Sequence, residues 1–352
     1  MNEYCETYIT INREALIHNA KYFKKISKKN LIAVIKSNAY GHGLLDVAKI
    51  LEQEAHTFAV AALDSAIKLR ENGIKIPILV LNPIAPKYVI NALRNNIMVT
   101  VNNIQEVQEI KELIKNEDNI LKVHIKVDSG MNRMGLKTKE ECLELLNYIN
   151  EIPNIKVVGI YTHFHSGDNP SYSKKQQDKF KEIYHYLNYD FAYVHLCATA
   201  PTLNNWDIEE STHVRIGLGL YGLCEDPNVI AVLAMYSRIM LRKLVNPQET
   251  VGYGARFQAQ EKTWIGILPC GYSDGIIRSN VGRHVYVDGN YCEIIGSVCM
   301  NSLMIKLPHE NTSDLVELIG PHISANEVAE YLNTISYEVV TYLPPHIKRI
   351  II

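Results

Sequence analysis

From Leu31 onward, short β-branched runs alternate with longer amphipathic stretches, and this alternation is the pattern of repeated βα units. Candidate strands begin near Leu31, Thr57, Pro77, Met98, Leu121, Ile155, Tyr193 and Thr212. Eight such units predict a closed (β/α)8 TIM barrel. Runs such as LIAVI carry no polar alternate, which suits strands buried on both faces of a parallel sheet. Ile104, Val107, Ile110, Leu113 and Ile114 share one stripe and predict a helix over 103–116 with Asn103 as its N-cap. Residues 138–149 do the same with Cys142, Leu143, Leu145, Leu146 and Ile149, and Thr138 with Glu141 has capping-box spacing.

After about Tyr236 the texture changes to alternating runs separated by DG and GN turn signals, such as RHVYVDGNYCEIIG. The expected division is a barrel over 1–237 and a smaller β-rich domain over 238–352, with residues 1–10 also expected to pair with the second domain. A helix over 325–332 with Ser324 as N-cap and an extended tail rich in Ile and Pro should complete it.

Basic residues number 36 and acidic residues 38, so there is no positive excess to draw nucleic acid or an anionic membrane. A small-molecule substrate is the default. The seven cysteines, at 5, 142, 197, 224, 270, 292 and 299, include no CxxC pair and read as reduced core thiols. The N-terminus is too polar for a secretory signal, and the apolar stretch 229–241 is broken by Ser237 and Arg238. A cytoplasmic location follows as the expectation.

A barrel places its chemistry at the C-terminal strand ends. Lys36 is expected there at the end of the first strand, followed by a glycine-punctuated polar loop. Lys126, Asp128 and Arg133 follow the fifth strand, His163 and His165 the sixth, Thr199 the seventh, and Arg215 lies on the eighth. Lys36 alone is either a salt-bridge partner or a desolvated amine nucleophile. His163 and His165 have a metal-ligand spacing, with His124, Asp128 and His195 as nominal third ligands, but no HExxH motif accompanies them. A pyridoxal phosphate site needs a Schiff-base lysine, a phosphate cup and a partner for the pyridine nitrogen. The glycines of RIGLGLYG, at 217 and 219, let backbone N–H groups approach an anion, and no GxxxxGK competes for that role.

AVIKSNAYGHG from Ala33 resembles the cofactor-lysine signature of the alanine racemases, fold-type III pyridoxal phosphate enzymes. KVDSGMNRMG, YTHF, RIGLGLYG, VGYGARF, LPCGYSDG and GSVCMN follow in the family's order, so the resemblance covers essentially the whole chain. It implies interconversion of L- and D-alanine, with Lys36 and Tyr253 as the two opposed proton-transfer groups and Lys36 also the cofactor anchor. Tyr40, Thr199, Gly217 and Leu218 would bind the phosphate. Arg215 would face the pyridine nitrogen, while His163 joins Arg215 to Tyr253. Arg133, Met300 and Asn301 would meet the substrate, Lys126 would be the residue some members carry as a carbamate, and Tyr272 and Arg278 would line the entry. A head-to-tail homodimer with shared active sites is implied, and no metal.

The chain departs from the family at three places. Asn301 stands where aspartate is usual and could admit a substrate hydroxyl, which makes serine the alternative substrate. Ala198 and Thr199 replace an Asn-Ser pair, and Pro345 falls where some members offer a phosphate-binding tyrosine. A metal-dependent hydrolase and a noncatalytic pyridoxal phosphate carrier barrel complete the alternatives, and VGYGARF and VCMN argue against the carrier.

Overall fold

The computed structural model describes residues 6–352. Cys5 and residues 1–5 of the segment expected to pair with the second domain lie outside the described residues. The chain divides into two compact units, one of Leu16–Ala39 with Leu44–Val229, the other of 6–15, Tyr40–Gly43 and Ile230–Ile352.

The first unit is a barrel of eight parallel strands, Asn30–Val34, Thr57–Val60, Ile78–Val80, Met98–Val101, Leu121–Lys126, Ile155–Tyr161, Tyr193–His195 and His213–Ile216. Each begins within one residue of its sequence expectation. The last two strands share no regular ladder. Thr212 N–H donates to Val194 O at 2.9 Å and Arg215 N–H to Cys197 O at 2.9 Å, and these bonds bridge the gap. Leu31, Ile32, Ala33, Phe58, Ala59 and Val99 are buried, as strands enclosed on both faces require.

The outer helices follow their apolar stripes. Ile104–Ile114 buries Val107, Ile110 and Ile114, and Asn103 accepts the Glu106 N–H as its cap. Lys139–Asn150 starts with the complete Thr138–Glu141 capping box.

One irregularity shapes the barrel interior. The register shifts between Val123 and His124, so His124 pairs with Gly159, and a Cβ at 159 would lie 2.4 Å from His124 Nδ1. The imidazole fills the space a side chain would take.

The second unit is a nine-stranded sheet whose far end runs Leu315–Ile319, Leu233–Arg238, Thr7–Ile11, Lys348–Ile351. Thr7–Ile11 pairs antiparallel with Leu233–Arg238 and parallel with Lys348–Ile351. A separate hairpin, Thr250–Val251 with Phe257–Gln258, is anchored by Val251, which packs with Val245, Ile265, Ile295 and Met304. Ser324 caps Ala325–Tyr331 through a full capping box. The tail expected to be extended instead contains a helix, Ser336–Thr341, which buries Val339 and Val340. The short apolar run of YEVVTYL has too few residues for a legible helical period. The described cysteines are all free; Cys224 and Cys299 are half-buried rather than core residues.

Candidate active site

Lys36 does not end a strand. The strand stops at Val34, and Lys36 opens a turn in which Ser37, Asn38, Ala39 and Tyr40 have φ of 52, 54, 53 and 52°. This is a left-handed helical turn built from non-glycine residues, each at a cost of roughly 1 kcal/mol or more. Its hydrogen bonds hold it: Ala39 N–H donates to Ile35 O at 3.0 Å, and Asn38 Oδ1 accepts from Leu44 N–H at 2.9 Å. Burial, then the charges of Arg133 and Arg215, push the Lys36 amine below its ordinary value.

Arg215 is the fixed point of the barrel site. Its Nη1 donates to His195 O at 2.8 Å and lies 2.7 Å from His195 Nδ1. Its Nη2 donates to Thr162 O at 2.6 Å and Leu196 O at 3.1 Å and lies 3.2 Å from His163 Nδ1. A guanidinium can only donate, so both imidazoles present a lone pair at Nδ1 and carry their proton on Nε2. Burial, with the Arg215 charge next, holds both rings well below the usual histidine value and therefore neutral. His195 Nε2 is 3.1 Å from His124 Nδ1, which extends the chain of rings inward. Among the described residues Arg215 Nε makes no hydrogen bond, leaving one oriented donor for a ligand acceptor.

Lys126 is buried, its Nζ donating to Val127 O at 2.7 Å and lying 5.1 Å from the Tyr161 ring centroid. Burial and the Arg215 charge pull it down to about 7. Arg133 is exposed at the loop that follows. Lys36, Lys126, Arg133 and Arg215 thus form a cationic cluster suited to phosphate and carboxylate groups.

Thr199, Gly217 and Leu218 form a second group. Thr199 Oγ1 accepts the Gly219 N–H at 3.0 Å, so its own proton is free to donate outward. The N–H groups of Gly217 and Leu218 donate to no acceptor among the described residues. Gly219 cannot be larger, because a Cβ there would lie 2.3 Å from Phe23 Cζ.

The metal alternative finds no support in the geometry. His163 faces Arg215, whereas His165 is exposed with its Nδ1 2.8 Å from Ser166 Oγ. Among the described residues no group of three or more His, Cys, Asp or Glu could hold a metal ion.

In the second unit, Tyr253 sits at the tip of the 250–258 hairpin with 75% exposure, and its carbonyl accepts from Ser297 Oγ at 2.7 Å. Gly252 and Gly254, both at φ 73°, make the sharp turn that presents the ring. Met300 is 55% exposed, and Ser273 N–H donates to its carbonyl at 3.1 Å. Tyr272 and Arg278 are exposed on the neighbouring segment. Asn301 Nδ2 donates to Ser273 Oγ at 2.8 Å. This bond braces the Tyr272–Asp274 turn, and Asn301 is exposed. Tyr40 is buried, and burial raises its hydroxyl far above the ordinary value. Tyr337, given no role by the sequence, places its ring centroid 6.1 Å from that of Tyr40. Ser273 was likewise passed over, and His195 and His124, named in the sequence only as nominal metal ligands, instead form the chain of rings behind Arg215.

A parallel barrel with a buried lysine–arginine site, joined in sequence to a β-rich domain, defines a two-domain barrel enzyme. Residues 11–225 match the model of the alanine racemase N-terminal domain and 232–351 that of the alanine racemase C-terminal domain. The chain is 35% identical to an alanine racemase of Ligilactobacillus salivarius, over 98% of this chain and 97% of the relative. The solved alanine racemase of E. faecalis superposes with a TM-score of 0.95 at 33% identity, covering 100% of both chains. A histidine racemase from Leuconostoc mesenteroides superposes with a TM-score of 0.93 at 27% identity, covering 99% of both. The chain belongs to the alanine racemase family.

Proposed function

We propose that this chain interconverts L- and D-alanine with pyridoxal 5'-phosphate as cofactor. The observation that carries the reading is Arg215, buried and pinned by three carbonyls and two neutral imidazoles, with Nε left to meet an acceptor. That donor fits the unprotonated nitrogen of a pyridine ring, and a guanidinium cannot surrender its proton to it. Thr199 Oγ1 and the N–H groups of Gly217 and Leu218 fit the phosphate, with Tyr40 as a further contact. When bound, the cofactor acidifies the Cα–H of an amino acid joined to it.

The protein supplies placement and proton transfer. The depressed Lys36 amine anchors the cofactor and moves a proton at Cα on one face. Arg215 leaves the ring nitrogen unprotonated, which limits charge build-up and favours proton return over transamination. Arg133 binds the substrate carboxylate. Lys126, brought to about 7, has the free amine needed to add to carbon dioxide, releasing a proton and leaving a carbamate anion to pair with Arg133. Tyr253 moves the proton on the opposite face, and Tyr272 and Arg278 line the entry.

The exposure of Tyr253 and Met300 on well-anchored turns supports a head-to-tail homodimer in which each is offered to a second copy. Met300 N–H donates to no acceptor among the described residues and suits a substrate carboxylate. Among the described residues no helix is long and apolar enough to cross a membrane, and a cytoplasmic location accords with that.

Two measurements test the reading. The purified chain should show a visible absorption band with pyridoxal phosphate and racemise L-alanine; a colourless, inactive protein after reconstitution overturns it. L-Alanine, L-serine and L-histidine should be compared as substrates, since this fold also hosts a histidine racemase. Asn301→Asp should leave the serine-to-alanine ratio of kcat/KM within about threefold, below the usual worth of a lost specificity contact. A larger change would give Asn301 a direct part in substrate choice.

A further inference from the structure

The turn that carries Lys36 is held from its far end by Arg349, a residue given no role by the sequence. Gly41, at φ 80°, follows Tyr40 and closes the left-handed run. Its carbonyl accepts from Arg349 Nε at 3.1 Å and from Arg349 Nη2 at 2.8 Å. Arg349 Nη1 also donates to Pro344 O and Ile347 O at 2.6 Å each, and Nη2 to Leu343 O at 3.0 Å. These charge-assisted bonds tie Gly41 to the C-terminal tail. Arg349 itself stands on the strand Lys348–Ile351, opposite Ile9 in the sheet of the second unit. Gly41 is also closed from the helix Ser336–Thr341, because a Cβ at 41 would lie 1.9 Å from Val340 O.

Backbone strain gives this clamp a purpose. Ser37, Asn38, Ala39 and Tyr40 all have positive φ, and such a run persists only where its surroundings over-determine it. The bonds at Ala39 and Leu44 come from within the same stretch of chain, whereas Arg349 reaches Gly41 from 308 residues away. Without that grip the peptide after Tyr40 could relax toward negative φ, and the Tyr40 ring and Lys36 amine would turn with the backbone. Resting on the cofactor reading above, we propose that Arg349 is a positioning residue. By clamping Gly41 O it keeps residues 37–41 left-handed, which sets the Tyr40 hydroxyl and the Lys36 amine for the cofactor.

Arg349→Lys keeps the charge, but one ammonium cannot span the four carbonyls that the planar fork reaches. It should raise the dissociation constant of pyridoxal phosphate, read from the visible band, at least about tenfold. Ser37 is exposed at φ 52°, so Ser37→Gly relieves strain in the turn and leaves the tail untouched. In the Arg349→Lys chain it should recover about fivefold in affinity, the worth of one left-handed residue. In the unaltered chain, whose turn is already held, it should change affinity less than about twofold. An Arg349 that merely stabilised the tail would give no such difference.

The cofactor-free, unaltered chain supplies a second readout that depends on no variant's folding. The Ala39 and Leu44 amides should be protected from hydrogen exchange within about tenfold of those of Lys348–Ile351, as parts of one opening unit. Undiminished affinity in Arg349→Lys, an equal effect of Ser37→Gly in both backgrounds, or turn amides more than about tenfold less protected than the strand's would overturn the proposal. Absence of cofactor binding by the unaltered chain would instead overturn the functional reading on which it rests.

Discussion

Lys36→Ala is expected to lower racemisation by at least about 10⁴-fold, because it removes the cofactor anchor and one proton-transfer group together. The visible band of the lysine-bound cofactor should disappear as well. Folding should survive. The amine is held below its ordinary value by burial and by Arg133 and Arg215, so its removal relieves repulsion within a cationic cluster. A circular dichroism spectrum and thermal midpoint close to those of the unaltered chain would check this. Added methylamine should restore part of the activity if proton transfer is the function lost. Retention of racemisation within about tenfold would exclude Lys36 from the chemistry.

Tyr253→Phe separates proton transfer from cofactor binding. The ring is retained and only its hydroxyl goes, so the visible band should persist while kcat/KM falls by about 10²–10⁴-fold. Mixing supplies a sharper test. If each site takes Lys36 from one copy and Tyr253 from another, hybrids of Lys36→Ala and Tyr253→Phe chains contain one intact site. Equal mixing with free exchange should then restore about a quarter of the full activity. Hybrids that form but remain inactive would place both residues in the same copy's site.

The barrel was legible because its signal is redundant. Each strand is a short apolar run between amphipathic stretches, and the helix starts at Asn103 and Thr138 use side chains whose capping chemistry is local. The Lys36 turn was not legible. Ser, Asn, Ala and Tyr have no strong preference for positive φ as a run, and the conformation is imposed by tertiary packing rather than by glycine. His195 and His124 could be named only as nominal metal ligands for a related reason: their role is set by Arg215, on another strand, and no local pattern announces the contact. For Asn301 the departure from the family pattern was legible, but the bond of its amide to Ser273, which is distant in sequence, was not.

The bulge that brings Gly159 against His124 also bears on how this barrel can vary. With 2.4 Å between a prospective Cβ and the imidazole, the two positions form one locus in the fitness landscape rather than two. A side chain at 159 becomes tolerable once the ring at 124 has shrunk, and a ring at 124 once 159 is bare. Single-site libraries would record both as intolerant, and a paired library would uncover the ridge between them.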